Sequence, residues 1–259
     1  MKKVVILNSG GLDSLVMVKM AEILGYDVTK IYFDIGHDYN WKEKQALEDD
    51  TQVFDMSWFA AKGVDKEGNG MNNIFIPGRN LMFAVLAACK FLPDEIWLGA
   101  LLGEIHQHAT DKNETFRTLV NDVLSYTLAP FKKDVKLVYP FVDAGMDKLD
   151  VVKLAVELGY SKEVVESSSC MSGKHLKCGT CGVCLRRAGI FMQTGLSEEY
   201  EVNPWTAEEN RKIIRDIVDA EITNDDSHYD FHRRRELIPA LKLIYQGDTL
   251  EQIRDRYSI

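Results

Sequence analysis

Four of the chain's cysteines, Cys170, Cys178, Cys181 and Cys184, follow the pattern Cys-x₇-Cys-x₂-Cys-x₂-Cys. Two-residue gaps let successive thiolates turn toward one centre, and Gly179 and Gly182 ease the backbone through those turns. Four sulfurs satisfy a tetrahedral Zn²⁺ with no open position, which marks a structural rather than a catalytic metal site. Lys174, Lys177, Arg186 and Arg187 would offset the negative charge of the thiolates. An iron–sulfur site is the next option, but the bacterial ferredoxin run ends in a closely following Cys-Pro that is missing here. Disulfides require an oxidising compartment. The fifth cysteine, Cys89, lies in an apolar helical stretch and is expected to be a buried small hydrophobe.

A second stretch with chemistry in it is Ser9-Gly10-Gly11-Leu12-Asp13-Ser14. Two glycines permit positive φ and close approach of the backbone to an anion. A helix starting here would add unpaired N–H groups and a positive dipole end, and Ser9 and Ser14 add hydroxyl donors. The loop is neither a Walker sequence nor a Gly-x-Gly-x-x-Gly fingerprint. The bland alternative is a strand-to-helix turn with an Asp or Ser cap. Farther on, Pro77-Gly78 marks a turn before Arg79 and Asn80. A cation at a helix start is not intrinsically favoured, so Arg79 is either a surface arginine or the partner of a bound phosphate. His37, in the loop after the second strand, is expected to be an ordinary polar residue.

These residues must be positioned by the surrounding elements. Lys3–Leu7 is a short apolar, β-branched run of the kind buried in parallel sheets. Residues 13–24 carry apolar side chains at helical spacing and stop at Gly25, and residues 28–33 form a second apolar strand. That is a βαβ unit. The alternation continues with helices over 41–54, 80–91, 116–128 and 148–158 and strands over 95–99 and 135–139. It predicts an α/β, doubly wound, mostly parallel sheet with ligands at the strand C-termini. Residues 65–73 look like a flexible loop. After about residue 195 the composition turns to charged, amphipathic helices over 205–220 and 233–244, read as a helical C-terminal extension over 198–259. The Arg233-Arg234-Arg235 run is expected to be a solvated or salt-bridged face, with phosphate binding as the alternative.

The chain has 259 residues, enough for a full core without disulfide staples. Its net charge of −9 disfavours a general nucleic-acid or membrane binder. No secretory signal or membrane span is evident, so a cytoplasmic location is expected.

The hexapeptide at 9–14, placed after the first strand, resembles the Ser-Gly-Gly-x-Asp-Ser loop of the PP-loop ATP pyrophosphatases. The resemblance implies a HUP-like sheet and ATP cleaved between its α- and β-phosphates, with pyrophosphate held by Ser9, Gly10, Gly11, Leu12, Asp13 and Ser14. Asp13 would then help organise Mg²⁺, or cap the helix. The PP-loop, the Pro-Gly-Arg-Asn stretch, Lys148 at a helix start and the cysteine array with its arginines together resemble the 7-cyano-7-deazaguanine (preQ0) synthase family over residues 1–195. By that resemblance residues 1–197 form the PP-loop domain, with a zinc-knuckle segment at 170–187. Cys170, Cys178, Cys181 and Cys184 would be the zinc ligands, Arg79 and Asn80 would contact ATP, and Asp13, Arg79 and Lys148 would serve catalysis. The implied reaction is that of an ATP-dependent C–N ligase in queuosine biosynthesis. It turns a small deazapurine carboxylate, 7-carboxy-7-deazaguanine, and ammonia into the nitrile. A homodimer that binds neither membrane nor nucleic acid is expected.

The chain departs from the family after the strand at 95–99. Where the family carries Tyr-Pro-Asp-Cys-Arg, Asp111 takes the place of the Asp, while Lys112 and Asn113 replace Cys and Arg. Glu104 and Asp111 are the expected substrate-binding carboxylates, suited to the N1–H and 2-amino donors of a guanine-like ring. His106 and His108 are read as loop histidines. The competing readings are a ligase that adenylates another carboxylate or stops at the amide, a PP-loop tRNA thiolase, and a zinc-knuckle module that grips nucleic acid.

Overall fold

The computed structural model describes residues 1–36, 40–59, 76, 78–105, 111–167, 169–170 and 177–258. The chain divides into two compact units, Met1–Ala144 and Gly145–Ile259. The expectations for His37, His106, His108, Lys174 and the loop at 65–73 lie outside the described residues.

In the first unit the strands are β1 (Lys3–Leu7), β2 (Asp27–Asp34), β3 (Gln52–Asp55), β4 (Glu95–Trp97) and β5 (Lys136–Val138). Among the described residues they form one parallel sheet in the order β3-β2-β1-β4-β5. The helices are α1 (Leu12–Ile23), α2 (Asn40–Gln45), α3 (Arg79–Phe91), α4 (Leu102–Ile105), α5 (Glu114–Leu128) and α6 (Pro140–Asp143). Strand order runs outward from β1 through β2 to β3 on one side, then restarts with β4 on the other. The switch point therefore lies between β1 and β4, where an open α/β sheet leaves a crevice beyond its strand ends. Val4, Val5 and Ile6 are almost fully buried. The continuous apolar run of β1 thus reflects cover on both faces.

The helix expected over 41–54 is instead the short α2 followed by the edge strand β3. An edge strand of four residues, three of them exposed, carries too little apolar signal to be told from a helix end. Cys89, expected inside, is exposed. The buried face of α3 is Asn80, Ala84, Ala87 and Ala88, and Cys89 falls off it. A helix apolar nearly all round does not announce which face goes in.

The second unit holds α7 (Lys148–Glu157), α8 (Ser161–Glu166), α9 (Gly182–Thr194), α10 (Glu208–Thr223), α11 (Phe231–Ile244) and α12 (Leu250–Arg256). A capping box between Asp147 and Asp150 starts α7. Leu185 of α9 shares a core with Ile214, Ile217 and Val218 of α10, Leu237 and Leu241 of α11, and Ile253 of α12. The arginine run is salt-bridged and largely buried. Arg233 pairs with Glu236, Arg234 with Glu221 and Asp226, and Arg235 with Asp147 and Asp150. That commitment to carboxylates disposes of the phosphate alternative.

Candidate functional site

At the C-terminal ends of β1, β2 and β4 lies a cavity of about 270 Å³. Its lining brings together Ser9, Asp13 and Ser14 from the glycine loop, Arg79 and Asn80 from the start of α3, Tyr32, Glu43 and Lys112. The loop is closed on itself. The Ser9 N–H donates to Ser14 Oγ at 3.1 Å, the two serine oxygens lie 3.1 Å apart, and the Gly10 N–H donates to Asn8 Oδ1 at 3.0 Å. Gly10 adopts φ +68°, and a Cβ there would stand 2.6 Å from the Glu43 carbonyl oxygen. Glycine is what lets the loop turn against α2. Gly11 is the N-cap of α1 and no side chain caps that helix. The bland reading of the loop as an Asp- or Ser-capped turn is therefore not what the structure contains. The amides at this helix start face the switch point, a ready place for an anion.

The charges around the cavity alternate. Burial pushes the Glu43 carboxyl up, against a 2.7 Å hydrogen bond from the Tyr32 hydroxyl and the charge of Arg79. Burial pulls the Lys112 ammonium down, but Glu104 and then Asp13 more than reverse this, so its pKa is raised. Lys112 Nζ lies 2.9 Å from Glu104 Oε2. Lys112 lines the cavity, whereas Glu104 and Asp111 are not among the described lining residues. Asp111 is buried, and Asn80 Nδ2 donates to its Oδ2 at 2.9 Å and to its backbone oxygen at 3.2 Å. Asn113 caps α5 by accepting the Phe116 N–H at 2.8 Å.

The structure thus gathers Ser9, Asp13, Ser14, Arg79 and Asn80 around one cavity, beside Gly10, Gly11 and Leu12. It puts Glu104 and Asp111 one contact behind it and Lys148 in the second unit, at the first position of α7. Sequence reasoning missed Glu43, Tyr32 and the cavity-facing position of Lys112. The replacement of the family's Cys by Lys112 was the one available signal.

The cysteine cluster belongs to the second unit. The four Sγ atoms lie within 4.8 Å of one another. Cys170 and Cys178 sulfurs are 3.6 Å apart, and those of Cys178 and Cys184 are 3.9 Å apart. A zinc–sulfur distance of about 2.3 Å gives a tetrahedron edge of about 3.8 Å. A disulfide would need about 2.05 Å. The donor set therefore fits a structural metal site. Cys181 is the N-cap of α9, where its sulfur accepts the Cys184 N–H at 3.4 Å. Its thiol is pushed up to about 11, first by the hydrogen bond with Cys170, with burial and the Cys178 charge adding to it. The arginines beside the array are engaged elsewhere. Arg186 pairs with Glu236, and Arg187 with Glu198 at 2.8 Å. Lys177 pairs with Glu198 at 2.5 Å, and burial and the Arg187 charge pull its ammonium down. Among the described residues no cysteine lines the cavity, Cys89 included. No described helix is long and apolar enough to cross a membrane.

Comparison with known proteins agrees with this arrangement. The chain is 30% identical over 227 residues to 7-cyano-7-deazaguanine synthase 2 of Sulfurisphaera tokodaii, covering 77% of this chain and 48% of that protein. It thus spans about half the length of that relative. It is 27% identical to 7-cyano-7-deazaguanine synthase of Thermoplasma acidophilum, over 78% of this chain and 94% of that one. With the synthase of Campylobacter curvus it shares 28% identity, over 77% of this chain and 97% of the other. The family model for queuosine biosynthesis protein QueC matches residues 3–195, glycine loop through cysteine array, and the chain belongs to that enzyme family.

Proposed function

We propose that the protein is an ATP-dependent C–N ligase that converts 7-carboxy-7-deazaguanine and ammonia to 7-cyano-7-deazaguanine, acting as a cytoplasmic homodimer. The observation that carries this reading is the uncapped start of α1 behind Ser9 and Gly10, opening onto a cavity that also holds Asp13 and Arg79. A carboxylate accepts no amine until one of its oxygens is a leaving group. In the first step a carboxylate oxygen bonds to the α-phosphorus and pyrophosphate departs with the electron pair. Ammonia then bonds to the carbonyl carbon, loses a proton, and AMP departs. The amide oxygen then bonds to the α-phosphorus of a second ATP and pyrophosphate departs, and loss of AMP and two protons leaves the nitrile.

The chain's part is positioning and charge neutralisation. The amides of residues 11–14 at the start of α1, with the Ser9 and Ser14 hydroxyls, would hold the departing pyrophosphate, while the Ser9 and Gly10 amides, bonded to Ser14 Oγ and Asn8 Oδ1, shape the loop. Asp13 would hold the Mg²⁺ that accompanies ATP, since a carboxylate beside a polyphosphate needs a cation between them. Arg79 would neutralise phosphate charge, and Asp111 would act on the ring through Asn80, which lines the cavity. Glu104 would act through Lys112. Lys148, at the first position of α7, would be a further catalytic cation that neutralises phosphate charge. Cys170, Cys178, Cys181 and Cys184 would hold a structural Zn²⁺.

Lys112 at the cavity, where the family carries a cysteine, favours a second reading: a relative that adenylates another carboxylate or stops at the amide. One experiment separates them. The protein is incubated with ATP, Mg²⁺, ammonium and 7-carboxy-7-deazaguanine, and the products are weighed by mass spectrometry. A nitrile with AMP supports the first reading and an amide alone the second. Absence of AMP with this substrate overturns the first reading and the amide-forming variant, and leaves only a ligase for another carboxylate.

A further inference from the structure

We propose that Lys112 is the residue that binds the acceptor's carboxylate, with Glu104 holding its ammonium in place from outside the cavity. The inference deepens the ligase reading above and rests on it. Three observations carry it. Lys112 lines the same cavity as Ser9, Asp13 and Arg79, while its ion-pair partner Glu104 does not. The two side chains are about a quarter and a fifth exposed, so the pair is not a solvated surface bridge. An ammonium has three donors, and the 2.9 Å bond to Glu104 engages one.

The electrostatics point the same way. Lys112 feels Asp13 as an attraction and Arg79 as a repulsion, so the two cations stand near enough to disfavour one another. An anion placed between them relieves that repulsion. Its proximity to Glu104 and Asp13 keeps the ammonium protonated through the neutral range. A lysine fixed in this way grips a carboxylate as a point charge and donor together. In the adenylation step the carboxylate oxygen attacks the α-phosphorus, the bond from that phosphorus to the bridging oxygen breaks, and pyrophosphate takes the electron pair. Lys112 keeps all its protons throughout. It aligns the nucleophile beside the loop and is not an acid or base.

The test is equilibrium binding by calorimetry of two probes, 7-carboxy-7-deazaguanine and 7-deazaguanine, which lacks the carboxylate. A charged hydrogen bond of this kind makes the wild type prefer the carboxylate by about 10- to 100-fold. Lys112→Gln removes most of that preference and Lys112→Arg retains part of it, while ATP affinity stays within about threefold in both. Should Lys112→Gln fail to fold, Glu104→Gln reads the same contact, lowering the preference and sparing ATP. The proposal is overturned if the wild type shows no preference, if the preference survives in Lys112→Gln or in Glu104→Gln, or if ATP affinity falls in step. AMP formation by the wild type tests the ligase reading separately, so the two fail independently.

Discussion

Gly10→Ala should disable the glycine loop while leaving the fold standing. At φ +68° an alanine costs about 1–2 kcal/mol of backbone strain. Its Cβ would also stand 2.6 Å from the Glu43 carbonyl oxygen and 3.1 Å from Ala46 Cβ. Ordinary contact begins near 3.4 Å, so the loop and the end of α2 must part by about 0.8 Å. The same shift pulls on the Gly10 N–H bond to Asn8. Misplacing catalytic groups by about 1 Å costs on the order of 100-fold in rate. Steady-state pyrophosphate release at varied ATP is the assay, and kcat/KM for ATP should fall by about that factor. Gly25→Ala is the control. Gly25 has φ +70°, but nothing lies within 4 Å of its Cβ position. It should lose stability through backbone strain alone, about 1–2 kcal/mol, and keep its kcat/KM. If Gly10→Ala turns over ATP as well as Gly25→Ala does, the loop is not a phosphate cradle.

Other perturbations follow from the same geometry. Arg187→Met strands the Glu198 carboxylate, which is 3% exposed, and should cost about 3 kcal/mol in urea unfolding, the lower end of the buried-pair range because Lys177 still pairs with Glu198. A cost below about 1 kcal/mol would refute that account. Metal analysis of the purified protein should find one zinc per chain, and Cys178→Ser should lose it and melt at a lower temperature, whereas stoichiometric iron would revive the thiolase reading. Glu43 is raised by burial, so it takes up protons on folding and weakens the fold as pH rises from its unfolded to its folded value. Glu43→Gln should therefore raise the melting temperature at neutral and higher pH, with the gain fading as pH falls toward the ordinary carboxyl range of about 4.3. A variant less stable than the wild type at pH 8 contradicts this.

Much of the first unit was legible because its signals are local. β1 is a continuous apolar run, α1 ends at a glycine, and Asp13 and Arg79 stand at helix starts, where position in the chain already implies position at the strand ends. The cysteine cage was legible because two-residue gaps constrain sulfurs to one centre. What was illegible depends on partners distant in sequence. The edge strand β3 is defined by its pairing with β2, and its own residues are half polar. Helix α9 passes through Cys184 and was hidden by the cysteines and glycines around its start. The roles of Glu43 and Lys112 follow from a cavity assembled by residues some hundred positions apart. Burial of Arg234 depends on carboxylates contributed by α10 and the turn after it.

The pairing of Arg186 with Glu236 crosses residue 195, where the family match ends. Glu236 is 1% exposed and Leu185 fully buried, both against helices that lie past that limit. A stop codon after residue 195 would leave an apolar face on α9 open to water and one of its arginines without its carboxylate. The helices past residue 195 are therefore part of what keeps α9 folded.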